Sequence, residues 1–259
     1  KELLFNFEKL FFGLYKEYRR DKTSGRIISK LKPEYKLFFE IHRAIFDTLD
    51  NIDIGNHNIE SIFTAKRMDL DKGKYDNLGQ LEIYISNIGE VVSEFLLLLI
   101  KNKDNSLEIF DYVYTLGRAI HLNNIVYNVK KDFDKKPLKV YLPVDEQNEC
   151  NFLIEIDLPE ILNKKNDSIN FNKLINYQLN RLDKYYEYSQ VGIEKIDTKF
   201  YNIISSYINC YQKQNKRILE GKFNILEDKY EFSYYDFFNN ITWTNIIIIF
   251  GNYLCMCIM

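Results

Sequence analysis

Residues 116–143 read LGRAIHLNNIVYNVKKDFDKKPLKVYLP. The stretch opens with the spacing of a helix and ends in an extended, strand-like segment closed by Pro143. Asn124, Asn128 and Asp132 recur every four residues, and residues four apart share a helix face. Three polar side chains therefore look in one direction, with His121 and Asn123 beside them, where an ordinary core helix shows one apolar stripe. Either that face meets water, or it lines a site. Ile125 and Val129 are then expected to pack away from it, and Tyr127 to stand near its mouth.

Helical periodicity continues on both sides. ELLFNFEKLFFGLYKEY places Leu3, Phe7, Leu10, Phe11 and Leu14 on one stripe, and EYKLFFEIHRAIFDTLDNI does the same with Leu37, Ile41, Ile45 and Leu49. Pro33 suits the first turn of that second helix. A third is expected from about residue 56, capped by Asn56 or Asn58, and residues 78–100 predict a long, strongly apolar helix central to the bundle. The quoted stretch belongs to a helix from about residue 106 that breaks before Pro137, after which the chain reads as irregular to about residue 168. Two more helices follow, over residues 170–193 and 197–219. With 10 Gly and 4 Pro against 20 Tyr and 19 Phe, the chain is poor in turn formers and rich in large apolar side chains. No repeat or linker composition divides it. The expectation is one all-α domain over residues 1–259, a bundle of seven or eight helices.

Thirty-five basic residues against 37 acidic ones leave a net charge of −2, so no global field draws the protein to nucleic acid. The short basic clusters KEYRR (16–20) and KNKDN (101–105) read as solvated surface. Cys150, Cys210, Cys255 and Cys257 have neither the paired spacing of a zinc site nor the density of a disulfide framework, so a reducing compartment is the default. The opening KELLFNFEKLFF resembles neither a signal peptide nor an arginine-rich transit peptide. Residues 245–259 are apolar but interrupted by Asn245 and Asn252, and fall short of the roughly 20 residues of a span. They are expected to form a buried last helix or an aberrant terminus; the alternative is a tail anchor, which leaves contact with a membrane surface open.

Taken in order, these strings resemble the squalene/phytoene synthase family. The family commonly shows a helix reading like G-x-A-x-Q-L-T-N-I-x-R-D-x-x-x-D, then a short basic loop and Y-L-P. Gly117, Ala119, Leu122, Asn124, Ile125, Asp132 and Tyr141–Leu142–Pro143 match it. AKRMDLDKGKYDNLGQLEIYISNIGEVV is similar to the family's Met-Asp-Leu segment and the helix after it, and YYEYSQVGIEKID to the later helix with a double tyrosine. The resemblance implies the all-α isoprenoid synthase fold with a central cavity. It also implies a prenyltransferase activity joining two isoprenyl diphosphates head to head, with Mg²⁺ held by two facing aspartate-rich motifs. Ionising an allylic diphosphate leaves negative charge that hard cations must absorb.

The chain departs from that pattern. The resemblance places the first aspartate motif on a helix upstream of Lys1; Asp47, Asp50 and Asp53 fall too close to the Met-Asp-Leu segment for the family's order. In the second motif Asn128 replaces the first aspartate and Tyr127 the arginine that would meet diphosphate, and the loop to Tyr141 is about two residues longer. Of the metal-binding carboxylates Asp132 remains, so Asn124, Asn128 and Asp132 are the expected remnant of the diphosphate and metal site. His121, Asn123, Tyr127 and Asp69 are further cavity candidates. Their bland alternatives are a core histidine, a hydrated polar lining and, for Asp69, a capping or ion-paired residue near Arg67. Tyr185 and Tyr186 are read as core packing before cation stabilisers.

The family also has members that lost the aspartates and act in mitochondria as assembly factors for respiratory complex I, and this chain resembles them in that loss. The resemblance therefore implies a degenerate, non-catalytic binding or assembly protein in a mitochondrion or other organelle, otherwise in the cytoplasm. Its partner would be an isoprenyl diphosphate, another lipid or a protein. The alternative is an active prenyltransferase requiring Mg²⁺.

Overall fold

The computed structural model describes residues 1–20, 45–52, 54–71, 73–99, 107–164, 168–196, 198–222 and 224–226. The chain divides between Lys72 and Gly73 into two compact units.

In the first unit α1 spans Glu2–Arg20, residues 45–51 are helical and α2 spans Asn56–Asp71. Both candidate caps of α2 lie inside the helix, with Asn58 buried. The face that α1 buries differs from the expected one. Phe11, Tyr15 and Tyr18 point inward, while Leu3, Phe7 and Leu10 are exposed. Aromatic rings explain the choice, since they bury more area than leucine and favour edge contacts. Phe11 meets Phe46 at 5.2 Å and Phe63 at 5.9 Å, both edge-on, and Tyr15 lies 5.1 Å from Phe46. Tyr18 donates to Asp47, and Arg19 pairs with Asp50 at 3.3 Å. These two carboxylates thus tie residues 45–51 to α1. Asp53, Pro33, Leu37, Ile41 and the KNKDN cluster lie outside the described residues.

The second unit contains α3 (Leu78–Leu99), α4 (Leu107–Tyr127), α5 (Val129–Phe133), α6 (Val144–Glu149), α7 (Ile154–Lys164), α8 (Ile169–Ile193) and α9 (Thr198–Leu219). The apolar run of α3 pointed to it as the centre. The structure instead packs α4 most extensively, against both α3 and α8. Its position rests on small residues. A Cβ on Gly89 of α3 would lie 2.5 Å from the Gly117 carbonyl oxygen, and one on Gly117 would strike Gly89 in return. On the other side a Cβ on Gly192 of α8 would collide with the Tyr112 ring. Polar ties flank these contacts: Tyr114 donates to Glu94 Oε2 at 2.7 Å, Tyr185 to Glu82 Oε1 at 2.8 Å, and Arg118 pairs with Glu90.

The helix of the opening stretch ends earlier than Pro137 demands. Asn128 leaves helical geometry at φ −98°, ψ 10°, separating α4 from the short α5. Beyond it, residues 144–164 form α6 and α7 where the sequence read as irregular. Pro159 lies inside α7, whose start is tied down by local hydrogen bonds. Asp157 Oδ2 accepts from Leu153 N at 2.6 Å, and the buried Gln147 joins both flanks, donating to Leu142 O at 2.6 Å and accepting from Ile154 N at 2.8 Å. Glu146, also buried, pairs with Arg181 of α8 and accepts from Gln178 Nε2 at 2.7 Å. The segment before α6 is extended but joins no sheet among the described residues: Lys74 and Val140 form an isolated parallel bridge. Val140 N donates to Gly73 O at 2.8 Å and Val144 N to Tyr75 O at 2.9 Å.

Two measurements check this account. Gly117→Ala should cost about 1–3 kcal/mol through overpacking, whereas Gly13→Ala, at an open helical position, should gain about 0.5–1 kcal/mol; equal urea midpoints for the two variants would refute the close approach. Burial, reinforced by Glu82, pushes Tyr185 up to about 12, and burial with Glu94 raises Tyr114 as well. A folded value above the ordinary phenol value favours the protonated state. The stabilisation is therefore complete below about pH 10 and is lost as pH rises toward about 12. The stability gap between wild type and Tyr185→Phe should shrink over that window in pH-dependent thermal melts.

Candidate functional site

The polar face of α4 is held by side chains from α8 and α9. Asn123 is fully buried, and its Oδ1 accepts from Tyr186 at 3.2 Å and from Asn215 Nδ2 at 3.1 Å. Tyr127 in turn donates to Asn215 Oδ1 at 2.6 Å. Tyr127 is thus an interior residue and not one at a cavity mouth: its ring stacks on Tyr211 at 6.2 Å and its hydroxyl needs a buried acceptor. Burial pushes that hydroxyl well above the ordinary phenol range, with the Asn123 amide pulling it partly back and Asp183 adding to the rise.

Asn124 and Asn128 lie at the half-buried edge of the same network. Tyr211 donates to Asn124 Oδ1 at 3.4 Å, and Asn128 Nδ2 donates to the Asn124 carbonyl at 2.8 Å, so Asn128 closes the last turn of α4 with its own amide. Tyr211 also faces Tyr186 at 6.4 Å and meets Tyr207 edge-on at 4.9 Å. Burial raises the Tyr207 hydroxyl. Tyr207, Tyr211 and Asn215 were not anticipated as site residues. Their signal was present: like the α4 residues, they recur every four positions along a helix.

Asp132 departs from its expected companions. It is buried, pairs with Lys135 Nζ at 2.7 Å, and lines a small pocket with Ile125, Val129, Lys139, Val140, Tyr141, Leu142 and Ile154. Ile125 and Val129, expected to point away from the site, therefore share the pocket with the carboxylate. Each four-residue step overshoots a helical turn by about 40°. Two steps carry Asp132 away from Asn124 and toward Ile125 and Val129, seven and three residues before it.

His121 is half-buried, its ring 5.5 Å from Tyr84, which stacks on Tyr141 at 5.4 Å. Tyr75 completes the aromatic group, 6.1 Å from Tyr141. Tyr186 is a buried network member, and Tyr185 is a half-buried tie to α3. Asp69 belongs to α2 in the first unit. Arg67, near which an ion pair for Asp69 was expected, engages Glu8 and Thr64.

The described residues do not suit the Mg²⁺ that the family resemblance implies. That ion needs several hard oxygen ligands. Among the described residues no three His, Cys, Asp or Glu side chains converge on one point. Asp132 faces an ammonium group, and Asn128 spends its amide nitrogen on the backbone. No described helix is long and apolar enough to cross a membrane, and residues 245–259, with Cys255 and Cys257, lie outside the described residues. Cys150 is a buried free thiol, which burial raises, and Cys210 is half-buried.

The architecture is shared with solved enzymes. A dehydrosqualene synthase in complex with ligand superposes with a TM-score of 0.64 at 18% identity, covering 96% of this chain and 85% of the other. Squalene synthase HpnC from Alicyclobacillus acidocaldarius gives a TM-score of 0.56 at 14% identity, covering 70% and 64%. At such identities the likeness concerns the isoprenoid synthase fold. In sequence, the phytoene synthase of Arthrospira platensis is 27% identical over 161 residues, 58% of this chain and 50% of that protein. Chloroplastic phytoene synthase 1 of Solanum lycopersicum is 22% identical over 159 residues, 60% and 37% respectively. The chain thus spans half or less of these relatives' length. The sequence pattern of squalene/phytoene synthase runs through residues 17–233, from the end of α1 past the last described helix, and by that extent the chain belongs to the squalene/phytoene synthase family.

Proposed function

We propose that this chain is a non-catalytic member of its family, a binding or assembly protein that retains the helical scaffold and takes an isoprenyl or other lipid ligand or a protein partner. The observation that carries this reading is the polar face of α4, which is bonded mostly within the chain, the buried Asn123 Nδ2 excepted. Asn123, Asn124, Asn128 and Asp132 spend their hydrogen bonds on Tyr186, Asn215, Tyr211, the α4 backbone and Lys135. Condensing two prenyl diphosphates brings several negative charges into a poorly solvated site, and a single carboxylate cannot recruit enough divalent cation to offset them. An assembly role follows from likeness to family members without aspartates. It adds the expectation of a protein partner in a mitochondrion or other organelle.

A second reading has its own support. The curated relatives are phytoene synthases, and Asp132 matches a family metal-binding position. On that reading a first aspartate motif upstream of Lys1 would restore a Mg²⁺-dependent prenyltransferase.

The test is a product assay on the purified chain with radiolabelled farnesyl or geranylgeranyl diphosphate and Mg²⁺. The expected outcome is no head-to-head product, with Asn128→Asp restoring little. Turnover in the usual range of about 1 to 10³ per second would make the enzyme reading primary.

A further inference from the structure

Helix α1 carries two apolar arcs side by side. The inner one, Phe11, Tyr15 and Tyr18, seats the helix against Phe46 and Phe63 of its own unit. The outer one, Leu3, Phe7, Leu10 and Leu14, is surplus to that packing: Leu3 is 84% exposed, Phe7 and Leu10 are each 43% exposed, and Leu14 is half-buried. The spacing of four, three and four residues is that of the a and d positions of a coiled-coil seam, the pattern by which one helix meets another. A contiguous row of large apolar side chains left in water marks an interaction surface. Along the flank away from the unit's core, the exposed Asn6 and Gly13 border the row, neither of them charged. A Cβ on Gly13 would meet nothing within 4 Å, so the backbone is bare there, at a helical position where glycine costs stability, and a second helix can lie close.

We propose that this face of α1 is a self-association surface, on which the α1 of a second copy of the chain lies antiparallel about a two-fold axis. The row itself specifies that occupant. Its four-three-four spacing reads the same in reverse, so two antiparallel copies set Phe7 against Leu10 and Leu3 against Leu14, and the two-fold axis makes each contact twice. Charge selects the direction. Glu2 lies in the first turn of α1 and Arg19 and Arg20 in the last. A parallel copy would bring like ends together, whereas an antiparallel one turns each acidic start toward the other's basic end and opposes the two helix dipoles. The surface is independent of whether the chain turns a substrate over, since every residue it uses belongs to the first unit.

The experiment is sedimentation equilibrium of the purified full chain at concentrations up to about 100 μM. A dimer is expected. The double variant Leu3→Glu, Leu10→Glu should weaken it by about tenfold or more, and Lys9→Glu, exposed on the side of α1 away from the row, should leave it unchanged. A milder pair of substitutions supplies a second readout. Chains carrying Leu3→Cys, mixed under oxidising conditions with chains carrying Leu14→Cys, should cross-link to one another much faster than either does to itself, with the wild-type chain setting the background of the native cysteines. If the glutamate pair unfolds α1, the cross-linking pattern decides. Cross-linking of Leu3→Cys chains chiefly among themselves would overturn the antiparallel arrangement. A chain monomeric across the whole range, its row left to a helix of some other protein, or a dimer that the folded glutamate variant leaves intact, would overturn the proposal.

Discussion

The second unit depends on one close approach, that of the α3 and α4 backbones at Gly89 and Gly117. With no Cβ on either residue the two helices come nearer than side chains allow, and rotation of α4 about its axis is fixed at that point. The Gly192 contact with Tyr112 fixes the opposite side. Once α4 is seated in this way its polar residues have a determined outlook: Asn123 and Tyr127 face Tyr186 and Asn215, and Asn124 faces Tyr211. The chemistry of that face is therefore a consequence of packing decided a turn or two away, between residues that carry no chemistry themselves.

A polar surface inside a helical bundle has two ways to be tolerated. It can be completed by ligand and solvent, or by other side chains of the same chain. Buried amides and hydroxyls that lose water must recover their hydrogen bonds, and leaving one unmade costs about 1–3 kcal/mol. Here the second solution dominates, since Asn215 both accepts from Tyr127 and donates to Asn123, joining α4 to α9. A lining of this type contributes to folding at the expense of reactivity. The same trade is visible in Asp132, whose carboxylate is compensated by Lys135.

The helices themselves were legible because a 3.6-residue period survives any choice of partner, and α1, α3, α8 and α9 lie close to where that period put them. What the period could not reveal was which of two apolar arcs turns inward. On α1 the leucine stripe and the aromatic stripe are neighbours, and the rings of Phe46 and Phe63 decided between them. Residues 144–164 escaped because strings such as DLPEIL and NKKNDS read as irregular, while the stabilising atoms belong to Gln147 and Asp157, side chains whose role is visible only in three dimensions. At the candidate site, spacing identified Asn124 and Asn128 as neighbours, but the drift of a four-residue repeat was overlooked for Asp132. The contribution of α9 went unseen because it is distant in sequence.

That distance has a temporal meaning. Asn123 and Asn215 are 92 residues apart, and Tyr185 reaches a partner 103 residues earlier. A ribosome adding about 5–20 residues per second finishes α4 several seconds before the amide that completes it exists. For most of that interval a nascent helix presents apolar and polar surface without the complete pair of α8 and α9 to cover it. The interior network therefore acts as a late lock, closed only once α9, the last described helix, has been made, and α4 is most exposed to mispairing or chaperone capture between its own birth and the arrival of α9.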